Sequence, residues 1–269
     1  MYALPYDVNG DGRVDLIFGS KNKGANVGWL EAPAGDRRNL TNWKYHRLYD
    51  AGWIMSIRAV DLDGDGDQDV VFSDRKSRDK DKSSKGNSTG VWWLEKVDGP
   101  EFFAKPVRLG FAGEEMMFLD IADLNGDKRL DIAASVRPDK MGALLQPKSA
   151  SEKWQVKWQI ANLPQNQFGT IKAVRIADLD GDGKLDVAGT CERADKELSG
   201  CFQMVLQLDS SGEPSTYQDI SGPVGVKFDR IELIDLDGDG DLDLMTCEER
   251  DNLGVFWYEN PAKSPGGKK

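Results

Sequence analysis

Short apolar runs rich in β-formers recur along the chain in pairs. SIRAV, MFLDIA, IKAVRIA and FDRIELI each lead into a polar segment and out again into VVF, IAAS, VAGT and LMT, and LIF takes the second place of such a pair near the N-terminus. Each pair reads as two strands joined by a turn. VGWLEAP, GVWWLEK and GVFWYENP supply a third strand, and WKYHRLYD, FAKPVRLGF and WQVKWQIA a fourth. Four short strands in a unit of ~40–50 residues is the pattern of a β-propeller blade. The units run over about 1–50, 51–112, 113–168, 169–226 and 227–261. The expectation is therefore an all-β fold, a single β-propeller domain over 1–261 with a flexible tail over 262–269. The last blade has three strands as given.

The polar segment between the first two strands is almost the same string each time: DVNGDGRVD, DLDGDGDQD, DLNGDKRLD, DLDGDGKLD and DLDGDGDLD. Oxygen donors fall on alternate residues. The first loop offers Asp7, Asn9, Asp11, the Arg13 carbonyl and Asp15, and the second Asp61, Asp63, Asp65, Asp67 and Asp69. The third offers Asp123, Asn125, Asp127, Arg129 and Asp131, the fourth Asp178, Asp180, Asp182, Lys184 and Asp186, and the fifth Asp235, Asp237, Asp239, Asp241 and Asp243. Hard oxygens on alternate residues of a glycine-kinked turn can converge on a calcium ion, whereas without a cation the carboxylates repel one another. Up to five structural calcium ions are expected.

An EF-hand would need a bidentate glutamate at position 12 and helices on both sides, but position 12 is Phe18, Phe72, Ala134, Gly189 or Thr246 and strand residues follow. Asp and Gly also mark ordinary turns, a reading that five matching copies make untenable. The third loop is the weakest copy, because Lys128 replaces glycine at position 6 and must adopt its positive φ.

Charge narrows the partners. Thirty-five Lys plus Arg against 46 Asp plus Glu give a formal charge of -11, which argues against nucleic acid. No apolar run reaches the ~20 residues of a membrane span, and MYALPYD lacks the regions of a signal peptide. Of three cysteines, Cys191 and Cys201 flank a hairpin and could pair across it.

The motif D-x-D/N-x-D-G-x-x-D between two strands resembles the FG-GAP/VCBS repeat, the unit of integrin-α-type calcium-loop propellers, and the likeness covers nearly the whole chain. The resemblance implies calcium loops on one face and ligand on the other; it specifies fold well and activity poorly. Neither terminus supplies a fourth strand to the last blade. Two alternatives follow: a five-blade ring closed by a three-strand blade, or an N-terminally incomplete piece of a larger propeller, for example a seven-bladed one, whose missing part carries the closing strand and an export signal.

Opposite the calcium loops, the second strand of each unit ends in a cation, Lys21, Arg75, Arg137, Arg193 or Arg250, and Trp53 and Glu115 lie in connectors on the same side. A ring of such cations would attract carboxylates or sulfates; paired with Asp74, Glu192 or Glu249 they would be structural. In the inner strands, Leu4, Arg58, Asp120, Arg175 and Glu232 stand three residues before each loop, with signs that alternate from the second copy and suit ion pairs between facing strands. Trp29, Trp93 and Trp257 share one third-strand position and are expected in the core. Residues 74–90 read as a solvated hairpin loop, and Asn39 and Asn87 head sequons.

The expected function is a calcium-stabilised binding or adhesion module for glycan, including anionic glycan, or protein. Calcium availability puts it outside the cytosol: extracellular, periplasmic or at the cell surface. The contrasting expectation is a polysaccharide lyase, in which a cation neutralises a uronate and Tyr, His or Lys removes a proton. It has little support, since His46 is the one histidine and no G-x-S-x-G motif occurs.

Overall fold

The computed structural model describes residues 2–76, 88–149, 151–158, 160, 163–164, 166–195, 197–208 and 217–261, and the backbone alone of Tyr2. Most of the expected loop over 74–90, the sequon at Asn87 and the tail over 262–269 lie outside these residues. The described residues form antiparallel sheets with strands in chain order. The first holds β1 (Tyr2–Tyr6), β2 (Asp15–Gly19), β3 (Asn26–Glu31) and β4 (Lys44–Asp50), and the second β5 (Ile54–Val60), β6 (Asp69–Asp74), β7 (Gly90–Leu94) and β8 (Val107–Gly110). The third holds β9 (Met116–Ala122), β10 (Asp131–Val136), β11 (Lys140–Leu145) and β12 (Gln155–Trp158). The fourth holds β13 (Thr170–Ala177), β14 (Asp186–Glu192), β15 (Cys201–Val205) and β16 (Tyr217–Asp219), and the last β17 (Phe228–Ile234), β18 (Asp243–Glu248) and β19 (Gly254–Tyr258). The fold class is the β-propeller, with five blades, four of four strands and one of three. One 3-10 turn, Leu40–Asn42, interrupts the strands.

Contacts group the chain into two compact units, Met1–Met117 and Phe118–Lys269. In the first, Ile17, Val27, Trp29, Ile54, Ile57, Val70 and Phe72 form a core in which none is more than 1% exposed. In the second, Ala133, Met141, Ile171, Val174, Val187, Phe202 and Met204 do the same. Second strands such as DVVFSD and DIAASV are buried at every residue, so they read as continuous apolar runs rather than alternating ones.

A hydroxyl four residues after the closing aspartate ties one blade to the next inner strand. Ser73 Oγ donates to the Met117 carbonyl at 2.7 Å, Ser135 Oγ to that of Lys172 at 2.7 Å and Thr190 Oγ1 to that of Asp229 at 2.6 Å. These buried hydroxyls gain partners that an apolar neighbour would deny them. At the same level the ladders slip, between Ile54 and Ser56, Ile171 and Ala173, and Phe228 and Ile231. Such a bulge re-aims the side chain it carries, here Met55, Lys172 or Asp229.

The third-strand tryptophans do not share one environment. Ile17 pairs with Trp29, Val71 with Trp93 and Met245 with Trp257, so the positions are equivalent. Trp29 is buried and Trp93 partly so, but Trp257 is 41% exposed. The expectation of a core Trp257 is corrected: β3 and β7 each have an outer neighbour, and β19 has none among the described residues. Cys191 and Cys201 are buried free thiols, so the expected cross-strand bond is not formed.

Candidate functional site

Each aspartate loop is held by its own side chains before any ion is considered. The first aspartate takes the N–H of position 6: Gly12 donates to Asp7 at 2.8 Å, Gly66 to Asp61 at 3.0 Å, Lys128 to Asp123 at 2.8 Å, Gly183 to Asp178 at 3.0 Å and Gly240 to Asp235 at 3.1 Å. Folding the loop over that carboxylate requires a positive φ at position 6, between 69° and 99° in the five copies. Lys128 has the 69° value, as its place in the motif predicts. A side chain in that region costs ~1–2 kcal/mol, part of which returns as unfolded-state entropy. Lys128→Gly is therefore expected to stabilise the protein by about 0.5–1 kcal/mol, read as a small rise in the urea midpoint at constant slope. An unchanged or lower midpoint would refute the strain.

The ninth residue does more than close a cage. Asp15, Asp69, Asp131 and Asp243 are at most 1% exposed. One oxygen of each accepts the N–H of loop position 2, from Val8, Leu62, Leu124 or Leu236. The other accepts an N–H from the chain leaving the third strand, from Ala32, Lys96, Gln146 or Asn260. In the fourth loop Asp186 takes Leu179 N–H and the Gln203 side chain instead. This residue thus pins each loop to its blade.

The remaining donors fit a divalent cation unequally. One oxygen from each of Asp61, Asp63 and Asp65 lies within 4.8 Å of the others, and the same holds for Asp178, Asp180 and Asp186 and for Asp235, Asp237 and Asp239. In the second loop, burial and then the charge of Asp65 raise Asp63 and Asp67, and burial pushes Asp69 up to about 6. Asp67 Oδ1 and Asp239 Oδ2 are buried without a hydrogen-bond partner among the described residues. An acceptor in that state is costly unless something positive meets it. An all-oxygen, multiply anionic set with orphaned acceptors suits calcium.

Position 7 separates the copies. In the first, third and fourth loops it is Arg13, Arg129 or Lys184, and its side chain is ion-paired with the position-5 carboxylate of Asp11, Asp127 or Asp182. In the second and fifth it is Asp67 or Asp241, which adds negative charge. The first and third loops also carry Asn9 and Asn125 where the others have aspartate.

At the opposite strand ends of Met1–Met117, Lys21, Trp53, Arg75 and Glu115 come together. Lys21 Nζ lies 5.0 Å from the Trp53 ring centroid and the Arg75 guanidinium 4.9 Å. Arg75 Nε donates to Glu115 Oε1 at 2.7 Å, so the arginine is ion-paired with Glu115 rather than Asp74. Sequence reasoning missed Lys76, whose ammonium is 4.6 Å from the same centroid; its place beside Arg75 was the available signal.

The strand-end cations of Phe118–Lys269 are arranged otherwise. Arg137 is ion-paired with Glu192, while Arg193 and Arg250 are exposed. Lys172, only 6% exposed, sits 3.0 Å from Asp229 and 4.0 Å from both Glu192 and Glu249, and Lys227 pairs with Glu249. Burial and then its bond with Glu249 raise Asp229, while that bond, followed by the Lys227 bond, lowers Glu249 to about 2. A lysine inside IKAVRIA was the signal for this cluster. The inner-strand charges pair as their signs suggest, with Arg175 3.0 Å from Glu232 and 3.9 Å from Asp120. His46 stacks on Trp29 at 4.1 Å and bonds Glu31 at 2.8 Å, a packing role.

Comparison with known proteins bears on this architecture. The family model of the FG-GAP-like repeat matches residues 7–72, which span the first two aspartate loops and the strands between them. Residues 7–72 carry an FG-GAP-like repeat. The same loop and strand order recur in all five blades, an arrangement consistent with an FG-GAP-type propeller. Among solved structures, the crystal structure of the exotype rhamnogalacturonan lyase YesX is similar at 15% identity and a TM-score of 0.46, over 97% of this chain and 55% of that one. The chain thus spans about half the length of that protein. No curated protein sequence matches. No helix among the described residues is long and apolar enough to cross a membrane.

Proposed function

We propose that this FG-GAP-type propeller is a calcium-stabilised binding module that works outside the cytosol and takes a glycan or protein ligand at the strand ends opposite its aspartate loops. The observation that carries the calcium reading is the convergence of three carboxylates within 4.8 Å in the second, fourth and fifth loops. Asp61, Asp63, Asp65, the Asp67 carbonyl and Asp69 would hold the ion in the second loop, with the corresponding residues in the others. Calcium would cancel the mutual repulsion of the loop and fix the turn between first and second strands. Sites of moderate affinity are filled at the millimolar calcium found outside cells, which supports the extracytoplasmic placement.

The order of filling follows from position 7. The second and fifth loops bring an extra carboxylate, whereas a calcium entering the first, third or fourth must displace Arg13, Arg129 or Lys184 from the carboxylate it pairs with. A calorimetric calcium titration of metal-stripped protein should resolve a tight class that Asp67→Lys and Asp241→Lys each diminish. One undivided class untouched by both substitutions would refute the ordering, and no heat at any concentration would refute the calcium reading. A glycan array read with and without chelator tests the ligand half.

A further inference from the structure

In Met1–Met117 one indole gathers positive charge on a protein whose formal charge is -11. Trp53 is fixed by its backbone: Gly52 and Trp53 N–H donate to the buried Asp74 carboxylate at 3.1 and 2.9 Å, and Arg75 N–H donates to the Trp53 carbonyl at 2.8 Å. Around its ring stand Lys21, Arg75 and Lys76, each within 5.0 Å of the centroid. The ring quadrupole attracts each cation, but the cations repel one another. Only Arg75 has a carboxylate, that of Glu115; among the described residues neither Lys21 nor Lys76 meets one. At the corresponding strand end of the third blade, Arg137 is ion-paired with Glu192 of the next blade.

A cleft of about 650 Å³ opens beside this group, with Lys23, Arg47, Asp50, Gly52, Trp53 and Lys76 in its wall. Its size falls within the range of small-molecule sites. Arg47 is ion-paired with Asp50, which leaves Lys23 and Lys76 as the wall's unmatched charge among the described residues. We propose that the cleft is a subsite for an acidic oligosaccharide, with a carboxylate or sulfate group at the Lys76 ammonium in its wall, Lys23 beside it, and Lys21 adding its charge from against the Trp53 ring that lines the cleft. The inference rests on the glycan-binding reading and narrows it to one place and one charge class.

The test is a titration of the full chain, in calcium, with three probes: a galacturonic acid tetramer, a sulfated tetrasaccharide and neutral maltotetraose. The two acidic arms distinguish carboxylate from sulfate. A charge-assisted contact of this kind corresponds to about a tenfold change in affinity. At least one acidic probe should bind, Lys21→Gln and Lys76→Gln should each weaken it about tenfold, and the distant Lys105→Gln should leave it unchanged. All variants should melt with the wild type, since none removes a buried group. Acidic binding that survives the double substitution Lys21→Gln, Lys76→Gln overturns the subsite and leaves glycan binding standing, and so does equal binding of maltotetraose. Failure of all three probes overturns both.

Discussion

Stripping calcium from the protein should lower its melting temperature by about 15 °C or more, the largest single effect anticipated. Each site filled at a hundred times its dissociation constant adds about 2.7 kcal/mol to the folded state, and three aspartate-rich sites together about 8 kcal/mol. In a chain of this size 1 kcal/mol moves the midpoint by about 2–4 °C. Acidification adds a check of sign. Burial lifts folded Asp69 to about 6, above its ordinary 3.8, so in metal-free protein this group penalises folding fully above about pH 6. The penalty fades as pH falls toward the unfolded value. Protons and calcium compete for the same oxygens, so the calcium-induced rise in midpoint should shrink as pH drops from 7 through 6 toward 4. Scanning calorimetry with calcium or chelator across that range tests both statements; a calcium increment that is absent, or that grows on acidification, would refute them.

Arg175→Ala should cost about 3–5 kcal/mol. The Arg175 side chain is 7% exposed, bonded to Glu232 and set near Asp120, whose other oxygen accepts the Ile176 N–H at 2.9 Å. Truncation withdraws the buried guanidinium that two carboxylates share, although Glu232 keeps Arg230 as a second partner, and breaking a buried pair from one side is more costly than the pair was stabilising. Arg175→Met with Asp120→Asn and Glu232→Gln should recover much of the loss, because no carboxylate then faces the site without its guanidinium, and Arg230, which loses Glu232, is partly exposed. Urea unfolding followed by tryptophan fluorescence measures both. A loss below about 1 kcal/mol for Arg175→Ala would place this pair among exposed ones of little consequence.

Much of this architecture could be read before any coordinates. The aspartate loops declare themselves by spacing, and the strands on either side by their apolar content, because turn chemistry and burial act on neighbouring residues. Even the positive φ of Lys128 and the alternating signs at Asp120, Arg175 and Glu232 follow from aligning the copies. What escaped depends on contacts between distant segments. KMGALL, β11, carries no tryptophan and does not resemble the other third strands, and β16 is three residues long. Lys172 looks like an interruption in an apolar strand until the bulge turns it toward Asp229. The sequence offers Asp74, Glu192 and Glu249 as partners for the strand-end cations without saying which meets which; Arg137 takes Glu192 and Arg75 takes Glu115, each from another element. Trp257 shares its position with Trp29, but its burial depends on the neighbour β19 lacks.

That bare flank of β19 has a kinetic meaning. Val255 is 74% exposed, and no strand pairs with the outer side of residues 254–258 among those described. A strand tethered along one side peels away without first breaking a second ladder. Like the edge strands β12 and β16, β19 should therefore open early in its unit, with amides of Gly254–Tyr258 exchanging ahead of those in the central strand β14.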